Sequence, residues 1–223
     1  MLKRPAGLLD RDREWRTLSA LWESDRFELA IVLGRRRVGK SFTLAPFARA
    51  TGGLYYQATR RSESEQLESL TRLVAERFDD AALRHGGPIS RWDSLFRYLL
   101  ERTKGERFVV ILDEFPYLES ASPGLSSVLQ SLVDHEFPST RMKLILSGSH
   151  VSAMRRLEGA DQPLYGRRTR RIDFFPFSCR EAALFVPDYD SREAIRTFGI
   201  FGGLPGHLAL LDPKADLAAS AEG

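Results

Sequence analysis

Apolar positions follow two rhythms along this chain. Between Asp10 and Glu23 they recur at Trp15, Leu18, Leu21 and Trp22 with charged residues between, the spacing of a helix with one buried face. Phe27-Glu-Leu-Ala-Ile-Val-Leu33 is instead almost continuous and rich in branched side chains, which predicts a buried strand. Gly34 breaks it, and a helix is expected over 40–50. Leu54-Tyr-Tyr-Gln57 reads as a second strand. Helical spacing returns over 65–84 through Leu67, Leu70, Leu73, Val74 and Phe78, and Gly86-Gly87-Pro88 stops it. A further helix is expected over 91–102, then a fully apolar strand, Phe108-Val-Val-Ile-Leu112. Pro123 opens a helix running to Phe137, Met142 to Leu146 is a fourth strand, and Arg171-Ile-Asp-Phe-Phe175 is a weaker fifth. Ser178 and Ser191 are placed as N-caps of two last helices.

Strands that alternate with helices pair in parallel through right-handed crossovers. Strands that are apolar throughout lie in a sheet covered on both faces. The pattern therefore predicts an α/β fold, whose ligands bind beyond the carboxyl ends of the strands. The residues just after strands one, three and four are where chemistry is expected.

Composition narrows the class. The 223 residues suffice for one sizeable core, or one core and a small appendage. No apolar run reaches the ~18–20 residues that cross a bilayer, and the first residues lack the apolar stretch of a secretory signal. A single cysteine, Cys179, excludes an internal disulfide framework, and the histidines show no zinc spacing. A cytoplasmic protein with no membrane partner is expected. The net charge is only +3, but the cations are mostly arginine, clustered at 35–37, 60–61, 155–156 and 167–171. These clusters could meet nucleic-acid phosphates, or form a solvated surface.

Gly34-Arg35-Arg36-Arg37-Val38-Gly39-Lys40-Ser41 fits G-x-x-x-x-G-K-[ST] between a buried strand and a helix. Its glycines let successive backbone N–H groups turn toward phosphate, and the positive end of the next helix, where Phe42 follows, faces the same anion. Lys40 is expected on the β- and γ-phosphates of ATP, and Ser41 on Mg²⁺. About 70 residues downstream, Asp113 ends an apolar strand and would hold the metal's hydration shell, while Glu114 would polarise the attacking water. Thr103-Lys-Gly-Glu106 lacks the aspartate of a guanine-reading [NT]-K-x-D motif, which points to ATP rather than GTP. Ser149, or less favourably Ser147, follows the fourth strand and could sense the γ-phosphate or hold the water; a simple strand-ending turn is the alternative. With this loop the expected fold is a P-loop NTPase, a three-layer α/β/α sandwich with a mainly parallel five-stranded sheet in the order 5-1-4-3-2.

Ile31-Val-Leu-Gly-Arg-Arg-Arg-Val-Gly-Lys-Ser41, Val109-Val-Ile-Leu-Asp-Glu-Phe-Pro-Tyr-Leu118 and Leu144-Ile-Leu-Ser-Gly-Ser149 resemble the archaeal-type ATPase family, of the STAND branch of AAA-like P-loop ATPases, also found in bacteria. Leu8-Leu-Asp-Arg-Asp-Arg-Glu-Trp15 resembles that family's opening segment, which implies that Leu9 and Arg11 lie against the adenine. Phe201-Gly-Gly-Leu-Pro205 resembles an element that brings a proline, here Pro205, to the same base. Leu164-Tyr-Gly-Arg167 resembles a third motif, implying that Arg167 stands near the γ-phosphate. The resemblance implies an ATP-driven switch with a core over 1–177 and the start of a helical lid over 178–223, with 215–223 a frayed tail. The family continues into a winged helix, whereas this chain ends fewer than twenty residues after Pro205, and a truncated lid is the expectation.

The expected activity is slow Mg²⁺-dependent hydrolysis of ATP to ADP and phosphate. Two other readings stay open: an ATP-organised nucleic-acid-binding module built on Arg155, Arg156 and Arg167 to Arg171, and a platform for a protein partner in a defence or toxin–antitoxin-like system. Oligomeric state is not legible from the residues.

Overall fold

The computed structural model describes residues 2–211. Five strands, β1 (Glu28–Leu33), β2 (Leu54–Gln57), β3 (Phe108–Asp113), β4 (Met142–Gly148) and β5 (Arg170–Asp173), form one sheet in the order β2-β3-β4-β1-β5. Every neighbouring pair is parallel. This is the expected order, read from the opposite edge.

Alternate side chains of a strand point to opposite faces, and here both faces are covered. Leu29, Ile31 and Leu33 of β1 face one layer, with Val110 and Leu112 of β3 and Leu144 and Leu146 of β4. That layer holds α3 (Glu63–Arg77), α5 (Trp92–Thr103), α6 (Phe115–Ala121), α7 (Leu125–His135) and α8 (Val151–Arg156). Ala30, Val32, Val109, Ile111 and Ile145 face the other, made by α1 (Asp12–Glu23) and α2 (Lys40–Thr51). Trp15 of α1 meets Phe47 of α2 edge to face at 5.9 Å between centroids, a geometry worth about 0.5–1.5 kcal/mol beyond the burial itself. After β5 the chain forms α9 (Cys179–Ala182), α10 (Ser191–Phe201) and α11 (Pro205–Leu208), which share a small cluster of their own around Phe177, Ala182 and Leu208.

Several elements differ from the reading of the sequence. The helix expected over 65–84 is two: α3 ends at Arg77, Asp79 turns into the left-handed region at φ 49°, and Asp80 caps a separate α4 (Ala81–His85). Ser178 caps α9 in a reciprocal box with Glu181, but the cap of α10 is Asp190, whose carboxylate accepts from the N–H groups of Arg192 and Glu193; Ser191 is the first helical residue. The helices α6 and α8 were not expected. The tail at 215–223 lies outside the described residues. No described helix is long and apolar enough to cross a membrane.

Candidate functional site

The loop between β1 and α2 is shaped by its two glycines. A Cβ on Gly34 would come within 2.8–2.9 Å of the Phe174 Cβ, the Phe174 carbonyl and Val38, so no side chain fits there. Gly39, the N-cap of α2, has φ +90°, a conformation open to glycine at little cost. No side chain caps α2, so its first N–H groups and its positive end face the cleft uncompensated. Lys40 is buried and donates through Nζ to the carbonyls of Gly34 at 2.6 Å and Arg35 at 3.0 Å. Burial depresses its pKa; the charges of Glu114 and Asp113 oppose this, while nearby Arg36 adds to it.

The end of β3 supplies the acidic side. Asp113 is fully buried, and its Oδ2 accepts from Ser41 Oγ and from the Tyr55 hydroxyl, each at 2.6 Å. Oδ1 accepts from the Glu114 N–H at 3.0 Å. Burial and the Asp113 charge push the Tyr55 phenol well above its ordinary pKa, so it remains a donor. Glu114 lies at φ 54°, an uncommon state for a side chain of its kind, and so turns the chain sharply into α6. Its Oε2 accepts from both the N–H and the hydroxyl of Ser149 beyond β4, at 3.0 and 2.9 Å. Geometry separates the two serines. Ser147 is fully buried within β4, its hydroxyl without a partner among the described residues, whereas Ser149 lines the cleft.

Between these elements opens a cleft of about 920 Å³, within the size range of small-molecule sites. Arg36, Arg37, Lys40, Ser41 and Glu114 contribute polar lining; Leu9, Phe42, Phe177, Phe185 and Pro205 are apolar. Arg11 also lines it. Its guanidinium donates to the carbonyls of Val38 at 2.7 Å and Phe175 at 2.9 Å, pairs with Glu14 and stacks 4.1 Å from the Phe177 centroid. Burial lowers its pKa, and the Glu14 charge opposes the shift. Arg11 thus ties the N-terminal segment to the phosphate loop.

Not every expected residue reaches the cleft. Gly34 and Val38 shape the loop from beneath, and Arg35 contributes its carbonyl to Lys40. Arg167 is turned away. It forms a two-pronged pair with Asp134 of α7 at 2.7 and 2.8 Å, donates to the carbonyls of Pro163 and Tyr165, and is absent from the cleft lining. In the opposite direction, Tyr55, Arg60 and Tyr117 are at the site and were not expected there. Tyr55 carried a faint signal, as a hydroxyl on the short strand beside Asp113.

Among the described residues no group of three or more His, Cys, Asp or Glu side chains could hold a metal. The oxygens of Ser41 and Asp113 nevertheless suit Mg²⁺, which takes one or two hard protein ligands and fills its octahedron with phosphate oxygens and water.

A protein of Methanocaldococcus jannaschii of uncharacterised function is 27% identical over 201 residues, 90% of this chain and 43% of its own length. The chain therefore spans less than half of that curated relative. Among solved structures, a Walker-type ATPase of Pyrococcus abyssi superposes with a TM-score of 0.72 at 23% identity, over 93% of this chain and 67% of that one. The Aeropyrum pernix ORC2 protein, solved in ADPNP–ADP complexes, gives 0.63 at 15%, over 92% and 61%. The ORC1 protein of the same organism, solved in complex with DNA, gives 0.60 at 13%, over 98% and 65%. At these identities the likeness shows the fold. Residues 8–211 match the family described as an ATPase domain predominantly from Archaea, and the chain belongs to that family.

Proposed function

We propose that the chain binds ATP with Mg²⁺ and hydrolyses it slowly, as a nucleotide-driven switch. The convergence of Lys40, Ser41 and Glu114 on the cleft, with Asp113 buried directly behind Ser41, carries this reading. The loop amides, the start of α2 and Lys40 hold the phosphates. Ser41 and Asp113 would hold Mg²⁺, which would supply Lewis-acid stabilisation of the phosphate charge. Ser149 occupies Oε2 of Glu114 and leaves Oε1 for a water molecule. A bond forms from that water to the γ-phosphorus as the bond to the bridging oxygen breaks. The water's proton passes to Glu114, and ADP and phosphate leave. The apolar lining from Leu9, Phe42 and Pro205 suits a nucleobase.

The nucleic-acid reading is weakened by the same side chains that suggested it. Arg167 pairs with Asp134, Arg168 with Glu158, and Arg171 with Glu158 and Asp173, so much of that cluster is neutralised locally.

Mg²⁺-dependent phosphate release from ATP and GTP, with nucleotide binding measured in parallel, tests the proposal. Lys40→Ala should abolish ATP binding, and Glu114→Gln should bind ATP without cleaving it. A wild-type protein that binds no ATP in the presence of Mg²⁺ would overturn the reading.

A further inference from the structure

Five cations line the cleft, Arg11, Arg36, Arg37, Lys40 and Arg60, and Arg36 reaches the serine that meets Glu114. Lys40 donates to the loop carbonyls and is the cation already assigned to the phosphates. Arg36 and Arg60 differ from the arginines of the outer surface, many of which face a carboxylate: among the described residues neither forms an ion pair, and both converge on one phenol. Arg36 donates to the Tyr117 hydroxyl at 3.1 Å and reaches Ser149 Oγ at 3.5 Å. Arg60, carried past the end of β2, stacks its guanidinium 5.7 Å from the Tyr117 ring centroid. Tyr117 is fixed to Glu114 in turn, its N–H donating to the Glu114 carbonyl at 2.9 Å within the first turn of α6.

All three line the cleft. The chain Glu114–Ser149–Arg36–Tyr117 places Arg36 one hydrogen bond from the serine that holds the candidate base. Arg36 is also close enough to Lys40 to depress its pKa. Two like charges gathered on one ring, neither ion-paired among the described residues, suit a trianionic group. Meanwhile Arg167, the arginine that the sequence pointed to, is locked to Asp134 outside the cleft.

We infer that Arg36 and Arg60, acting within one chain, supply the positive charge opposite the γ-phosphoryl group during hydrolysis, and that Tyr117 is the positioning residue that aims both. The inference rests on the ATPase reading and assigns two of its catalytic residues. As the water oxygen bonds to phosphorus and the bridging oxygen departs with its electron pair, negative charge spreads over the three equatorial oxygens and the leaving oxygen. The guanidinium N–H groups donate hydrogen bonds to these oxygens and transfer no proton; the proton still goes to Glu114. A ring between two guanidinium groups suits this task, because it takes a hydrogen bond on its rim and a cation on its face without neutralising either charge.

The test measures affinity for ADP and for a non-hydrolysable ATP analogue, each with Mg²⁺, together with phosphate release. It compares the wild type with Arg36→Ala, Arg60→Ala, Tyr117→Phe and Tyr117→Leu. Each arginine variant should keep its ADP affinity within about twofold, which also shows that it is folded. Each should bind the ATP analogue about tenfold more weakly and release phosphate at least about 100-fold more slowly, toward the ~10³-fold effect of an inserted arginine. Tyr117→Phe, which keeps the ring and loses the hydroxyl, should fall between the wild type and Tyr117→Leu. Arginine variants with wild-type turnover and an unchanged ATP-to-ADP preference would overturn the proposal. So would an equal loss of ADP and ATP-analogue affinity, which would assign the arginines to general phosphate holding. A wild type that binds both nucleotides without turnover leaves the affinity arm decisive. A wild type that binds neither would instead bring down the ATPase reading, and this assignment with it.

Discussion

Ser149 donates twice to a single carboxylate oxygen of Glu114, from its backbone N–H at 3.0 Å and from its hydroxyl at 2.9 Å, across 35 residues of sequence. The pair joins the ends of neighbouring strands β3 and β4, so the position of the carboxylate is set by the register of the sheet. Ser149→Ala removes one of the two bonds and leaves the other. A hydrogen bond to a charged group is worth about 1.5–3 kcal/mol, so phosphate release should fall roughly ten- to 100-fold while ATP affinity is retained. A single-turnover assay beside a binding titration checks this; unchanged turnover would mean that the N–H alone positions Glu114.

Tyr55 reaches the other carboxylate. Its hydroxyl and that of Ser41 share Oδ2 of Asp113, and loss of either leaves that oxygen held by one bond instead of two. Tyr55→Phe should leave the fold intact and raise the Mg²⁺ concentration for half-maximal turnover by about tenfold, the usual scale for a group that orients a metal ligand. Titration of turnover against Mg²⁺ at saturating ATP reads the effect, and an unshifted midpoint would argue against it.

Arg167→Ala separates the sequence reading from the geometry. Placed on Asp134 outside the cleft, Arg167 should be replaceable with turnover kept within about twofold and only a small drop in the unfolding midpoint, as for other partly exposed pairs. A loss approaching the ~10³-fold effect of a γ-phosphate arginine would show that this side chain leaves Asp134 when nucleotide binds.

At the opposite end of the strands, Lys143 of β4 is buried and donates to the backbone carbonyls of Ser24, at 2.8 Å, and Arg26. Burial lowers its pKa from 10.5 to about 8, and the Glu28 charge opposes the shift. Between those two values the unfolded chain keeps the proton that the folded chain has shed, so stability should rise with pH through the window from about pH 8 to 10.5. Lys143→Met lacks this contribution. Its unfolding midpoint, followed by circular dichroism, should show a flatter pH dependence there, by a few degrees. Parallel curves for the two proteins would contradict the assignment.

The legible parts of the molecule were those encoded locally. The buried strands β1, β3 and β4 are nearly uninterrupted apolar runs, and the phosphate loop is contiguous, so spacing alone located both. The break between α3 and α4 was hidden because Phe78 continues the helical spacing while Asp79 and Asp80 redirect the backbone. The helix α6 was hidden because Phe115-Pro116 follows a strand end, where a loop is the ordinary continuation; its left-handed start at Glu114 is a property of the fold. The same holds for side chains that act through distant partners. Arg167 meets Asp134 across 33 residues, and Tyr117 meets Arg36 across 81. Neither partnership leaves a trace in local composition.

The pairing of β1 with β4 sets Glu28 opposite Lys143 at one end and Leu33 opposite Gly148 at the other. Both charged residues are fully enclosed, a costly arrangement for the fold. Its return is alignment. A slip of one residue between these strands would carry Ser149 about 3.3 Å along the loop and turn every side chain of the slipped strand to the wrong face. It would also part Lys143 from the Ser24 and Arg26 carbonyls to which it donates. The charged end therefore works as a keyway: it admits one seating of the two strands, and that seating brings the phosphate loop level with the Ser149 turn.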